Sequence, residues 1–567
     1  MKSKRMRRSV WLVPTARLAA VGLFGLTAAS AQLPVSAVSP AALLRVSQAV
    51  SAHYYLSHPA QAPEPLRARL APAVAKASKK HVLGHKHSTA FNADDLGLPQ
   101  NEESITDCRP NSRYALGGTN DYRGLLDPDG NFTGWHFSTD GGGSLFKEGL
   151  LPKLTISGVD VPSGGDPVDV SDWGCNFYAG SLNYTLLPDL FQEPNGIGVY
   201  KSDAATLTSC DVGSDPASCW PVRRIVAQSP NPPGGAPITD YHFYDKEWLD
   251  VGTSGGAGKV LWITFSDFHF TGPGTDTLDY TASIKAVRCT ADLVTCTPPI
   301  LISGSDEDVQ FSDVTIGSDG KTYITWAEII GELPGSGGEP SQPQRFVIKS
   351  RLADAGSTTF GPTHVVATIE KPVPFNGLLH ANDFRIASYP KSTVLPLGSS
   401  TVRWFATWEE CSARPLDTIC EEPVVKLSYS DDAGATWSTP TVISRGGDNY
   451  FPTISADPTT GLVAVAWYTN RFDQTFHNAQ DVELATIQGS TADVRRVQRL
   501  TRTSNETEAD PILGGAFIGD YFEVFAYNRT AWVHFNANYR SELLLDGLLG
   551  EGVPVPQQDN FLTRTGL

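Results

Sequence analysis

Positive charge is scarce in this sequence. Across 567 residues, 44 Lys and Arg stand against 61 Asp and Glu, a formal net charge of −17. The basic surface that nucleic-acid phosphates require is missing, which excludes nucleic acid as a partner and leaves cationic or neutral ligands open. Only 19% of residues are charged while 40% are hydrophobic, so a packed core rather than disorder is expected. There is no CxxC pair for a thiolate zinc site, no GxSxG elbow, no phosphate loop and no HExxH helix, and hydrolase chemistry of those kinds is unsupported. Apolar runs are short as well. The longest, Leu18 to Ala29, is below the ~20 residues that a membrane span needs.

That run follows basic residues between Lys2 and Arg17 and precedes the small residues Ala29, Ser30 and Ala31. The pattern predicts a signal peptide over residues 1–31, with cleavage before Gln32; a membrane anchor is the alternative, and Arg7 with Arg8 hints at a twin-arginine signal. The expected product is secreted or held at the cell surface, with no transmembrane segment after cleavage. Residues 32–80, rich in Ala, Pro and Ser, read as a linker with one short helix near Ala41 to Tyr55, and residues 81–567 as the folded domain.

Glycine (52), proline (40) and aromatic residues (25 Phe, 18 Tyr, 12 Trp) are plentiful, which favours many short strands and turns: an all-β fold. Eight cysteines suit the oxidising compartment that export implies. Local spacing suggests Cys210 with Cys219, Cys289 with Cys296 and Cys411 with Cys420, leaving Cys108 with Cys175, although spacing alone does not fix connectivity.

A degenerate unit recurs along the domain: a short strand, a turn with Asp or Gly, then an apolar strand often ending in Trp. Its clearest copies are PTISADPTTGLVAVAWYTNR from Pro452 and SDVTIGSDGKTYITWAE from Ser312, and others start near Glu103, Pro167, Glu247, Pro390 and Phe522. A period near 70 residues leaves room for four strands per unit, each a small sheet that buries its faces only by stacking on its neighbours. A β-propeller of four-stranded blades follows. Seven blades are favoured, and six would follow if the second copy, which lacks the Trp, were an insertion. The last copy is short of outer strands, so the segment before Glu103 is expected to complete it and close the ring.

Two octets sit in the second half of such units. Ser430 to Trp437 reads SDDAGATW, with Ser430, Asp432, Gly434, Thr436 and Trp437 matching the SxDxGxTW pattern of the Asp-box or BNR repeat; Ser138 to Leu145 keeps Ser138, Asp140, Gly142 and Ser144. Asp and Gly two apart suit a tight turn, the Asp accepting backbone N–H bonds and the Gly taking φ > 0. With the blade openings NEESI at Asn101, DKEWLDV at Asp245, NDFRIASYP at Asn382 and GDYFEVF at Gly519, the chain resembles secreted bacterial members of the sialidase-like BNR/Asp-box propeller superfamily.

Strand directions then separate two faces. Starts of the innermost strand (A) and ends of the second (B) share an entrance face; the Asp-boxes, at the turn between the third and fourth strands (C and D), belong to the opposite one. Arg385, Asp383, Asp245, Asp520 and Arg123 are the expected ligand contacts on the entrance face. A sialidase holds its substrate carboxylate with three arginines and uses a Tyr–Glu pair with an Asp acid/base. Phe384-Arg385-Ile386-Ala387 is similar to the family's FRIP motif, which would make Arg385, Arg471 and Arg540 the triad, Tyr521 the nucleophile, Glu328 or Glu247 its base and Asp383 the acid. Ala387 stands where the motif has Pro, and the motif opens the fifth copy rather than the first.

The expected function is therefore an exported propeller that binds an extracellular glycan or protein on its entrance face, with catalysis left open. An exo-sialidase or related glycosidase and an assembly scaffold are the alternatives. No cofactor is required; calcium has one opening, at Asp127, Asp129 and Asn131 in LDPDGN, where a plain turn is the simpler reading. His85 and His87 could hold a metal as neighbours or form a basic patch, and sequons stand at Asn131, Asn183, Asn505 and Asn528.

Overall fold

A computed structural model describes Val50 and residues 89–567 except 93–97, 186–192, 234–239, 272–278, 307, 331–343, 372–377, 380–381, 383, 387–389, 399–400, 412–418, 421, 511, 514 and 543–554. The expected signal peptide, and the linker apart from Val50, lie outside the described residues. Val50 itself is helical and fully buried, in one cluster with Tyr184 and Phe243.

Seven antiparallel four-stranded sheets form a β-propeller. Their A strands are Gln100–Asp107, Val168–Ser171, Asp240–Thr253, Val309–Ile316, Lys391–Pro396, Asn449–Asp457 and Glu523–Tyr527. Each coincides with one of the seven repeat copies, the second included. Six blades run A to D in chain order. The seventh takes its outermost strand from the beginning of the domain, where Thr89–Ala90 pairs with Asp559–Gly566, so the ring closes as the short last copy required. No described helix is long and apolar enough to cross a membrane.

The repeat's turn chemistry is visible in blade six. Asp457 accepts from Thr459 N–H at 2.9 Å and from both following hydroxyls, and Gly461 closes the A–B hairpin at φ +71°. The same carboxylate reaches blade seven, accepting Asn528 N–H at 3.1 Å and Arg529 N–H at 2.8 Å. Between the blades lie the tryptophans. Trp135, Trp262, Trp326, Trp404, Trp467 and Trp532 are each fully buried, and radial stacking of such residues supplies the core that a single sheet lacks.

Both Asp-boxes follow a C strand and share one bond network. Ser430 Oγ donates to Asp432 at 2.8 Å and accepts Gly434 N–H at 2.8 Å, while Asp432 accepts Thr436 N–H at 2.8 Å and the Thr436 hydroxyl at 2.6 Å. Ser138, Asp140, Gly142 and Ser144 repeat it within 0.1 Å. Gly434, at φ +89°, has no room for a Cβ, which would stand 2.8 Å from the Trp404 ring; Trp437 packs on that same ring at 5.1 Å. All four disulfides have the connectivity that spacing suggested. Three close local loops, and Cys108–Cys175 ties blade one to the A–B turn of blade two. They fit an oxidising compartment.

Candidate ligand site

A two-residue bulge opens the A strands. Register breaks between Asn101 and Ser104, Asp245 and Trp248, Gln310 and Asp313, and Tyr450 and Thr453. The first looped-out residue is left-handed each time: Glu102 at φ +59°, Lys246 at +57°, Phe311 at +61° and Phe451 at +50°; Asp166 at +54° and Gly519 at +99° do the same before blades two and seven. A bulge of this kind re-aims a side chain out of the sheet, at a cost of order 1–3 kcal/mol for a left-handed non-glycine residue.

The re-aimed side chains meet across the ring. Arg385, entering blade five, donates through Nε to Asp520 Oδ1 at 2.7 Å and through Nη2 to the other oxygen, and Lys246 of blade three reaches Asp520 at 3.0 Å. Glu102 of blade one accepts Asp520 N–H at 2.9 Å and the Asn120 amide at 2.7 Å, and Asn120 in turn accepts Asp166 N–H at 2.8 Å. These blades are not all neighbours, so the contacts span the channel mouth. Glu102, Asp166, Asp245, Lys246, Glu247, Arg385 and Asp520 are all at most 2% exposed. Burial, then nearby Asp166, raises Glu102 and Glu247 well above the usual carboxylate range. For Asp520 burial pushes the same way, but Arg385 and Lys246 outweigh it and hold the carboxyl at about 2.

The other expected site residues are dispersed. Arg471 donates to Glu483 at 2.9 Å and lies 4.2 Å over the Phe472 ring, whereas Arg540 bonds Asn92 and stands 3.5 Å from Asp559. Tyr521 donates its hydroxyl to the Pro167 carbonyl at 2.8 Å, and Glu328 pairs with Lys349 at 2.9 Å. Arg123 bonds Asp121 and, at 2.7 Å, Glu148. Asp383, His85 and His87 lie outside the described residues. In the LDPDGN turn Asp127 accepts Asn131 N–H at 2.8 Å, and Asp129 pairs with Lys153 at 3.1 Å.

Beyond this cluster the channel widens into a cavity of about 470 Å³, bounded by all seven A strands and reaching their far ends at Ser318, Pro396 and Pro458. Its inner part carries Trp248, Lys391, Asp169, Asp313 and Glu523. The Lys391 ammonium lies over the Trp248 ring, and burial lowers its pKa to about 7 despite Asp313 and Glu523. Burial raises Glu523 to about 8 and Asp169 to about 7. At the outer rim Trp173 is 59% exposed, with Tyr527 edge-on at 5.8 Å and the Arg109 guanidinium 5.7 Å from its ring. Trp173 carries no motif in the sequence; Lys246 stands in the DKEW opening, at the position that matches Glu102 in NEES, and that match is the cue that could have found it.

No protein-family model matches the chain, and no curated protein matches it either. Among solved structures it is similar to a Hadza microbial sialidase (12% identity over 77% of this chain and 73% of that one, TM-score 0.38). An α-L-arabinofuranosidase from Fusarium graminearum (13%, covering 67% and 92%, TM-score 0.39) and the phage phi92 endosialidase (9%, covering 85% and 69%, TM-score 0.40) are also similar. Likeness this distant does not carry an activity. The chain is a seven-bladed β-propeller with two hydrogen-bonded Asp-box octets, on the strength of its own sheets and turns.

Proposed function

We propose that the chain is an exported binding propeller that takes a neutral glycan of the cell exterior at the central channel, without sialidase-type hydrolysis. The observation that carries this reading is the pairing of the three arginines. Arg385, Arg471 and Arg540 face three different carboxylates, Asp520, Glu483 and Asp559, so a clamp on one substrate carboxylate would have to be built from side chains already engaged. The Tyr521 hydroxyl and Glu328 likewise bond elsewhere. Sugar recognition needs an aromatic face and hydrogen-bonding groups in a concave site, and Trp173 beside Arg109 at the cavity rim supports that choice of ligand.

The test is a glycan array with the wild type and two variants. Trp173→Ala should weaken the best hit at least tenfold, while Arg123→Ala should leave it unchanged; loss with Arg123→Ala alone would move the ligand to the entrance face. Release of a fluorogenic sialoside by the wild type, abolished by Arg385→Ala, would overturn the non-catalytic reading.

A further inference from the structure

We propose a divalent-metal site of the zinc class on blade three, formed by Asp240, His242 and His269. Strand A of that blade, Asp240–Thr253, and strand B, Lys259–Thr271, extend several residues beyond the other hairpins, and the register sets His242 directly opposite His269. Side chains alternate along a strand, so Asp240, two residues before His242, lies on the same side. The ligand atoms of the three residues fall within 4.8 Å of one another. The two imidazoles stack at 4.3 Å and 3°, and His269 Nε2 already contacts the Asp240 carboxylate.

A further contact points to a metal rather than a plain ion pair. His242 presents Nδ1 to Asp267 at 2.7 Å, and Asp267, only 2% exposed, is itself held by Lys285 at 2.5 Å. That hydrogen bond keeps the proton on Nδ1 and leaves the Nε2 lone pair for an ion, the arrangement by which carboxylates orient metal-binding histidines. His242 and His269 are 21% and 34% exposed and Asp240 is 70% exposed, so an ion can reach them and the side chains have room to close on it. Two imidazoles and a carboxylate suit zinc and its borderline neighbours rather than calcium, and leave a fourth position for water or an incoming ligand.

The whole chain, stripped with a chelator, is titrated with Co²⁺ while d–d absorption is followed, then with competing Zn²⁺. One ion per chain is expected. His242→Ala and His269→Gln should each weaken Zn²⁺ binding at least 100-fold, and Asp267→Asn, which leaves all three ligands in place but weakens the positioning contact and gives up the Lys285 ion pair, about 10-fold. A His85→Ala/His87→Ala variant should bind as the wild type does. The proposal is overturned if the wild type gives no d–d band, if binding survives both blade-three substitutions in chains that circular dichroism shows to be folded, or if it is lost with His85 and His87.

Discussion

Replacing Asp520 by Asn tests whether the charged cluster holds the ring together. The substitution keeps size and removes the charge that faces Arg385 at 2.7 Å and Lys246 at 3.0 Å, all three groups being at most 2% exposed. Two routes bound the effect. The Asp520 carboxyl lies at about 2 against an ordinary 3.8, which is worth roughly 2 kcal/mol at neutral pH. Leaving buried cations without their carboxylate typically costs about 3–5 kcal/mol. With an unfolding entropy of about 1 kcal/mol/K for roughly 480 folded residues, the Asp520→Asn variant should melt about 2–5 °C below the wild type. A double-mutant cycle with Arg385→Met should return a coupling of about 2 kcal/mol or more. Asp520 also has a pH signature. Its folded pKa is depressed, so its stabilisation is present above 3.8 and is lost as pH falls towards 2, a limb the variant should lack. A melting point within 1 °C of wild type at pH 7, with no coupling, would refute the reasoning.

Removing the disulfides one at a time should rank them by the loop each closes. Cys108–Cys175 spans 67 residues and the other three 7 or 9, so the Cys108→Ser/Cys175→Ser variant should lose about 4 kcal/mol and each of the others about 2–3, read from denaturant unfolding. It should also weaken glycan binding most, because Cys175 pins the turn that carries Trp173. Acid titration of the wild type should show destabilisation beginning below pH 6.5. His534 is buried and its pKa is lowered to about 4, so the unfolded chain takes up a proton that the folded one refuses, for roughly 3 kcal/mol by pH 4; the His534→Gln variant, compared by melting across that range, should lose the slope.

The blades were legible because each repeats one local rule: an Asp or Gly turn, an apolar strand, a buried Trp. The octets were legible for the same reason, since the side-chain bonds of Ser430, Asp432 and Thr436 stay within the octet. Meetings across the ring were not. Asp520 finds Arg385, 135 residues away, and Lys246, 274 away, only after seven blades close and bulges turn the side chains towards the axis. Sequence reasoning brought Asp245, Asp520 and Arg385 to that mouth but left out Lys246, whose charge, after that of Arg385, holds Asp520 ionised. His242 and His269 were missed because their pairing depends on the unusual length of one hairpin.

The carboxylates of the cavity invite a catalytic reading because several sit at raised pKa, a common mark of active sites. Their bonds give another account. An A strand lines the hole of a propeller with one side against no sheet partner of its own, so its N–H groups need acceptors. Asp250 takes Ile316 N–H of the next blade at 2.6 Å, Asp313 takes Ser392 N–H at 2.9 Å, and Glu523 takes Ile105 N–H at 3.0 Å where blade seven meets blade one. At the two intervening junctions the acceptors are the hydroxyls of Thr393, for Ala456 N–H at 3.2 Å, and Thr453, for Val524 N–H at 3.4 Å. A threonine fills the same position as an aspartate, so the duty of the position is to latch one blade to the next. The raised pKa values follow from burying those latches, and by themselves they nominate no catalytic acid.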